Sequence, residues 1–231
     1  LYSLTDAVIT LSDLDYAMWS LVHPRVYKTL NPLTFDLSRC GEAPDNSRPL
    51  DILWLGRISP EKHPLDAIRI LDKLVSSGVS AKLHIVGKAE IKAFEDELKA
   101  EIEKRDLTDY VELHGYRQDV LSFYQRSTVF LLTSEFEGFT MTLAESLACG
   151  TPAVVYDLPN IDLIRSNAGV KVVAQNDVSA AAKAIAEILT NPAEWKKMSR
   201  AARRSIEDMY SFDVPQLWKT VFSQMTTAER S

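Results

Sequence analysis

From residue 50 onward, short apolar runs alternate with segments of helical periodicity. The apolar runs predict six β-strands, at Asp51–Leu55, Ala81–Val86, Tyr110–His114, Val129–Thr133, Ala153–Tyr156 and Val170–Val173. The first four runs are almost continuously hydrophobic, which is typical of strands buried on both faces. The pattern therefore indicates a sheet that lies inside the domain.

Helices are predicted between these strands. Apolar residues recur at helical spacing from Leu65 to Val75 and stop at Gly78, and the same spacing runs from Ile91 to Ile102. Three more helical segments follow the last strand, at about 177–190, 192–209 and 212–226. The repeated order of strand, helix and strand favours parallel pairing, so we expect an α/β fold with a Rossmann-like, doubly wound parallel sheet. Ligands bind such sheets beyond the carboxyl ends of the strands.

The first 40 residues have a different organisation. Thr5–Ser12 predicts a strand that leads into a helix, and Asn31-Pro32 predicts a turn. A single strand and helix cannot bury a core, so we expect residues 1–40 to be the tail of a missing N-terminal domain. Residues 41–49 have the composition of a linker. The main domain is predicted over residues 50–210, and a C-terminal helix over 211–231.

Composition and charge exclude several classes of protein. The 231 residues carry 26 Lys and Arg against 32 Asp and Glu, a net charge of −6, and no basic block offsets it. Binding to nucleic acid or to an anionic membrane is therefore disfavoured. Cys40 and Cys149 are far apart and form no metal-ligand spacing with the four histidines. This argues against a disulfide scaffold and a structural zinc site, and it fits a reducing, cytoplasmic compartment.

Familiar nucleotide and nucleophile motifs are absent from the sequence. There is no Gly-x-Gly-x-x-Gly, no Gly-x-x-x-x-Gly-Lys-Ser/Thr and no Gly-x-Ser-x-Gly. Asp13 and Asp15 have the Asp-x-Asp spacing of some metal-dependent sugar transferases. Because the pair falls at a helix start within residues 1–40, we interpret this match as accidental.

The most informative segment runs from Ser134 to Pro152. It predicts a strand end, a turn at Gly138 and a helix from near Thr140 to Gly150. Glu137 and Glu145 flank the predicted helix start and are separated by seven residues, too far apart to share a proton. Each could bind hydroxyls at opposite ends of one ligand while the helix N-terminus faces a phosphate.

The same spacing has a purely structural interpretation. Thr142–Glu145 matches a capping box, in which Glu145 accepts from a backbone amide at the helix start. Glu137 would then be an ordinary surface acid. The spacing by itself leaves both interpretations open.

A second cluster follows the first strand of the main domain. The loop Gly56–Lys62 places Arg57 and Lys62 five residues apart. The two could be solvated loop charges, but at the carboxyl end of a strand, opposite a helix N-terminus, they favour a diphosphate clamp. Arg suits bidentate oxygen recognition and Lys a point contact.

Together these segments resemble the donor-binding, C-terminal half of retaining glycosyltransferases of the group 1 type (family 4). Those enzymes have two facing Rossmann-like domains, the GT-B architecture. The resemblance covers about residues 48–190 and rests on four segments: Gly56–Lys62, Val86-Gly87, Val111–Gly115 and Glu137–Pro152. Its most specific part is the pair of glutamates followed by Cys149-Gly150-Thr151-Pro152.

The resemblance implies roles for individual residues. Arg57 and Lys62 would bind the diphosphate and stabilise the departing charge, Glu137 would face the transferred sugar, and Glu145 would hold the ribose hydroxyls. Further donor contacts would come from Gly56, Gly115, Tyr116, Gly138, Phe139, Thr140 and Met141. The donor would be a UDP-, GDP- or ADP-sugar, and neither a metal nor another cofactor is expected.

The resemblance also implies the reaction and the partners. We expect a glycosyltransferase fragment that binds a nucleotide-sugar donor and serves polysaccharide or glycolipid synthesis in the full-length enzyme. The isolated chain would not transfer sugar, because the acceptor is held by the missing N-terminal domain. Peripheral association of the full-length enzyme with a membrane is left open. The alternatives are a non-catalytic nucleotide-sugar-binding module and another GT-B enzyme, such as a sugar-nucleotide epimerase.

Some positions depart from the family's pattern. These are His63, Lys88-Ala89, Thr140 and Asn160–Asp162, and they bear on the identity of the sugar. His84 and His114 lie inside apolar strand runs, and we interpret each as a hydrogen-bonded structural residue.

Overall fold

The computed structural model describes residues 5–41, 51–165, 167–211 and 213–227. The elements, numbered in chain order, are β1 (Val8–Thr10), α1 (Asp13–Ser20), β2 (Val26–Lys28), β3 (Asp51–Leu55), α2 (Pro64–Ser76), β4 (Lys82–Val86), α3 (Lys92–Lys104), β5 (Val111–Gly115), α4 (Leu121–Arg126), β6 (Val129–Leu132), α5 (Met141–Ala148), β7 (Ala153–Tyr156), α6 (Asp162–Arg165), β8 (Val170–Val173), α7 (Val178–Thr190), α8 (Pro192–Met209) and α9 (Val214–Thr227). No helix in these ranges combines the length and apolar character that a membrane crossing requires.

The main sheet is parallel throughout, with the strand order β5-β4-β3-β6-β7-β8. The order reverses between β3 and β6, which lie side by side at its centre. This is the predicted doubly wound sheet, and all six predicted strands are present with bounds that agree to within a residue. From this point the chain connections run towards opposite edges of the sheet, and such sheets bind ligands in the crevice that forms there. The crevice therefore lies beyond the carboxyl ends of β3 and β6.

Side chains of the strands alternate between two cores. On one face, Ile52 packs with Ile68 of α2 and Ile185 of α7. On the other face, Leu53 packs with Leu143 of α5 and with α8. Neither Ile52 nor Leu53 is more than 1% exposed, as expected for a strand buried on both faces.

Residues 5–41 form a separate two-stranded parallel sheet of β1 and β2, connected by α1. The Nζ of Lys28 contacts Asp162 Oδ2 at 2.8 Å and Asp13 Oδ1 at 2.5 Å, which ties this unit to α6. The C-terminal helices add two further contacts. The Tyr210 hydroxyl donates to the Asn31 carbonyl at 2.8 Å, and Trp218 Nε1 donates to the Leu30 carbonyl at 2.9 Å. The predicted linker, 41–49, falls almost entirely outside the described residues.

The two cysteines, distant in sequence, meet in the fold. Both are buried free thiols, and the Sγ atoms of Cys40 and Cys149 lie 3.4 Å apart. The hydrogen bond with Cys149 lowers the pKa of the Cys40 thiol. Through this contact Cys40, at the end of the N-terminal segment, packs against Cys149, which follows α5.

Three glycines, Gly56, Gly87 and Gly115, lie at the carboxyl ends of β3, β4 and β5, and together we call them the glycine edge. The Gly56 amide donates to the Val86 carbonyl at 3.0 Å, and the Gly87 amide donates to the Gly115 carbonyl at 2.9 Å. Gly87 has a φ of +155°, and a Cβ on it would lie 1.8 Å from the carbonyl oxygen of Gly56. The strand ends therefore approach so closely that position 87 has no room for a side chain.

This close approach generates the first prediction. Gly78 also has positive φ (+85°), but nothing lies within 4 Å of a Cβ built there. Gly78→Ala should lower the free energy of unfolding by about 1–2 kcal/mol, the cost of left-handed backbone. Gly87→Ala should lower it by at least about 1 kcal/mol more, because the backbone of Gly56 must also move. Urea denaturation of both variants measures the difference, and equal losses would contradict the prediction.

Candidate functional site

Glu137 lies in the loop after β6, next to Lys62 at the end of the short 3-10 turn Pro60–Lys62. The Lys62 ammonium contacts Glu137 Oε1 at 2.7 Å, and both side chains are largely buried. Ser134 Oγ donates to the same oxygen at 2.7 Å, and Asn160 Nδ2 donates to the Glu137 carbonyl at 2.7 Å. Lys62 and Ser134 therefore hold the carboxylate, and Asn160 holds the backbone of the same residue.

Arg57 follows β3, and its side chain is 58% exposed. Its guanidinium donates to Glu90 Oε1 at 3.0 Å and to Glu61 Oε1 at 3.2 Å. The hydrogen bond to Glu90 raises the pKa of Arg57, and the hydrogen bond from Ser59 lowers the pKa of Glu61. Solvent-exposed ion pairs of this kind are weak, so an anionic ligand can replace the carboxylates at little cost.

The N-terminus of α5 faces the same region. The cap residue is Thr140, whose side chain makes no capping hydrogen bond. Its hydroxyl is buried and, within the described residues, has no hydrogen-bond partner. Backbone amides at a helix start carry partial positive charge, and together with a free hydroxyl donor they form a local environment for an anion.

Glu145 lies one turn further along α5 and is 3% exposed. Thr34 Oγ1 donates to its Oε1 at 2.6 Å, and the Tyr124 hydroxyl donates to its Oε2 at 2.9 Å. Burial raises the pKa of Tyr124 well above its usual range, and the nearby carboxylate adds to the effect. The capping-box interpretation is wrong, because α5 begins at Met141 and Thr142 lies inside it.

Two adjoining cavities open at this edge of the sheet. The helix-end cavity has a volume of about 230 Å³ and is lined by Trp54, Leu55, Gly56, Arg57, Lys62, Leu132, Ser134, Glu137, Phe139, Thr140, Met141 and Thr142. The edge cavity has a volume of about 480 Å³ and is lined by Leu55, Gly56, Arg57, Val86, Gly87, Lys88, Ala89, Glu90, Tyr116, Arg117 and Val120. Both are lined by Leu55, Gly56 and Arg57, so one extended ligand can occupy both.

The fold brings most of the predicted site residues together. Seven of them line the helix-end cavity: Gly56, Arg57, Lys62, Glu137, Phe139, Thr140 and Met141. Tyr116 lines the edge cavity, and Gly138 lines a third cavity, of about 380 Å³, between the N-terminal unit and the main domain. Gly115 and Glu145 are not among the lining residues of these three cavities. Gly115 accepts a hydrogen bond from the Gly87 amide, and Glu145 is a buried residue within α5.

Sequence reasoning missed the residues that position the charged groups. Thr34 and Tyr124 hold Glu145 from 111 and 21 residues away, so no local pattern could reveal them. Ser134 and Asn160 hold Glu137. The only indication of a role for Asn160 in the sequence is that it belongs to a segment that departs from the family's pattern.

Two curated relatives show what the chain is similar to. It is 32% identical over 189 residues to the GDP-mannose-dependent α-(1-6)-phosphatidylinositol dimannoside mannosyltransferase of Mycobacterium tuberculosis, a match over 76% of this chain. It is 28% identical over 173 residues to the poly(glycerol-phosphate) α-glucosyltransferase of Bacillus subtilis, over 74% of this chain. The matched part spans 47% of the first relative and 25% of the second.

Solved structures match the fold over nearly the whole chain. A variant of TarM from Staphylococcus aureus, in complex with UDP and other ligands, superposes with a TM-score of 0.81 at 19% identity, over 95% of this chain and 43% of that one. HepE from Anabaena in complex with UDP gives a TM-score of 0.81 at 16% identity, over 96% of this chain and 64% of that one. These likenesses confirm the predicted fold, that of GT-B glycosyltransferases.

The family follows from the sequence match. The family model described as glycosyl transferases group 1 matches residues 42–205. This range contains the loop with Arg57 and Lys62, the glycine edge, and both glutamates at α5. The chain therefore belongs to the group 1 glycosyl transferases.

Proposed function

We propose that this chain binds the nucleotide-sugar donor of a retaining glycosyl transfer. The observation that carries the proposal is the helix-end cavity, where Arg57, Lys62 and Glu137 meet the N-terminus of α5. Two cations and a helix start in one cavity suit a diphosphate. A carboxylate beside them suits sugar hydroxyls.

The diphosphate would lie between Arg57 and the start of α5. As the bond from the anomeric carbon to the diphosphate oxygen breaks, negative charge develops on the leaving group. Fixed positive groups that already face this position stabilise the charge without rearranging. Lys62 is held by Glu137, so its ammonium is in place before the donor binds.

The ribose would bind to Glu145. Two hydroxyl donors, from Thr34 and Tyr124, already occupy the two carboxylate oxygens. The two vicinal hydroxyls of a ribose are donors of the same kind. Thr34 belongs to the N-terminal unit, so we infer that the ribose replaces Thr34 on Oε1 while Tyr124 keeps Oε2 oriented.

The base would lie in the edge cavity, whose floor is the glycine edge and whose walls include Tyr116 and Glu90. Both UDP and GDP remain candidates, because one curated relative is named as GDP-mannose-dependent and two structural neighbours are complexes with UDP. For a longer protein that also holds an acceptor, we infer transfer to a polysaccharide or glycolipid. The names of two relatives refer to poly(glycerol-phosphate) and to a phosphatidylinositol dimannoside.

The diphosphate clamp gives the second prediction. Arg57→Ala and Lys62→Ala should each weaken nucleoside diphosphate binding about ten- to a hundredfold, since a hydrogen bond to a charged group contributes ~1.5–3 kcal/mol. Affinity for the uncharged nucleoside should stay the same. Isothermal titration calorimetry measures both affinities. Lys104→Ala, on the exposed face of α3, is the matched control.

The same titrations test the source of positive charge. Binding should persist in EDTA and should weaken as salt rises, because Arg57, Lys62 and α5 supply the attraction. A strict requirement for Mg²⁺ or Mn²⁺, with little response to either substitution, would place the phosphate site elsewhere.

The third prediction concerns Glu145. Glu145→Gln should weaken binding of both nucleoside and nucleoside diphosphate about ten- to a hundredfold. It should also abolish the preference for a ribonucleotide over its 2′-deoxy analogue. Thr34→Val removes the competing hydroxyl and should tighten ribonucleotide binding. Unchanged affinity in both variants would mean that Glu145 has only a structural role, as the acceptor of hydrogen bonds from Thr34 and Tyr124.

The fourth prediction concerns catalysis by the chain itself. It should bind the donor yet transfer no sugar, because transfer requires an acceptor that is held against the donor. Incubation with UDP- and GDP-sugars and sugar or lipid acceptors, followed by mass spectrometry of the products, measures this. Robust formation of a glycosylated acceptor would show that the chain suffices for the reaction.

A further inference from the structure

A separate polar cluster lies at the outer edge of the main sheet. His84 is on β4, and Glu112 and His114 are on the edge strand β5. His84 pairs with Glu112 in the parallel register, and His114 is two residues further along β5. All three side chains therefore project from the same face of the sheet. We propose that His84, Glu112 and His114 form a binding site for one transition-metal ion, with Zn²⁺ as the best fit.

The distances between the ligand atoms fit this proposal. Nδ1 of His84 and Nε2 of His114 lie 2.9 Å apart, and Oε2 of Glu112 lies 3.5 Å from the first and 3.7 Å from the second. Tetrahedral zinc with bonds of ~2.0–2.2 Å places its ligand atoms about 3.3–3.6 Å apart. An ion would therefore need shifts of only about half an ångström, and it would replace the hydrogen bond between the two imidazoles.

The chemistry of the donor set also fits. Two imidazoles and one carboxylate occur together at zinc sites with an open fourth position for water. Both imidazoles must present a lone pair to the ion, and their facing nitrogens already point towards each other. In the described part of the chain, no other group of three such side chains brings its ligand atoms this close.

The surroundings hold the ligands in place and leave a route for the ion. The His84 side chain is 6% exposed and that of His114 is 18% exposed, whereas that of Glu112 is 42% exposed, so the ion would enter past the carboxylate. Phe123 of α4 packs edge-on against His114, with ring centroids 4.8 Å apart. Lys82 Nζ contacts Glu112 Oε1 at 3.2 Å, which leaves Oε2 directed at the histidines.

The site is distinct from the proposed donor site. None of its three residues lines the helix-end cavity or the edge cavity. A bound ion would join β5 to β4 just before Gly87 and Gly115, so its effect would be on the stability of this edge. An ion that binds only the folded chain raises its stability by RT ln(1 + [L]/Kd).

Spectroscopy of Co²⁺ binding tests the proposal directly on the wild-type chain. After metal removal with a chelator and buffer exchange, Co²⁺ should produce the visible absorption of a tetrahedral site at one ion per chain, and Zn²⁺ should displace it. Zn²⁺ should also raise the melting temperature. Glu112→Gln and His114→Asn should each weaken Zn²⁺ binding by at least about tenfold. Glu97→Gln, an exposed carboxylate on α3, should leave the binding unchanged.

Absence of Co²⁺ absorption in the wild-type chain would overturn the proposal. So would equal Zn²⁺ affinity in the wild type and in the folded Glu112→Gln variant, which changes the most exposed of the three side chains. Circular dichroism verifies that each variant is folded. After removal of excess Zn²⁺, the zinc-loaded and metal-free chains should bind the uncharged nucleoside with the same affinity, which separates this site from the donor site.

Discussion

The ion pair between Lys62 and Glu137 joins the loops that follow β3 and β6, the two strands at the centre of the sheet. A hydrogen-bonded chain lies beneath it. Trp54 Nε1 donates to Thr133 Oγ1 at 2.9 Å, and the threonine hydroxyl donates to the Lys62 carbonyl at 2.7 Å. Both loops are therefore fixed to the strands that carry them. The exposed Arg57 and the start of α5 line the same cavity as this junction.

The site holds two cations within a protein that is acidic overall, with a net charge of −6. Carboxylates accompany each cation: Glu61 and Glu90 accompany Arg57, and Glu137 accompanies Lys62. The two pairs differ in burial. The exposed pairs of Arg57 exchange easily for a ligand, whereas the more buried Lys62–Glu137 pair is costly to separate and serves to keep its geometry.

The sequence predicts the sheet and the loops at its carboxyl edge well, because both depend on local order. Continuous apolar runs identify buried strands, and the order of strand, loop and helix places Arg57, Lys62 and Glu137 at the carboxyl ends. Contacts over long sequence separations cannot be obtained this way. Thr34 on Glu145 joins positions 111 residues apart, and His84 meets His114 only because β4 and β5 are neighbours. The short helices α4 and α6, of six and four residues, contain too few turns for a periodic signal.

Two kinds of position surround the edge cavity, the backbone of the glycine edge and the side chains of its walls. Its floor includes the peptide groups of Gly56 and Gly87, and at Gly87 a side chain has no space. Every ligand that enters the cavity therefore meets the same backbone surface, whatever residues surround it. Chemical variety is confined to the walls, at Lys88, Glu90, Tyr116 and Arg117. A change in which ligands the cavity accepts would therefore come from these wall positions and not from the floor.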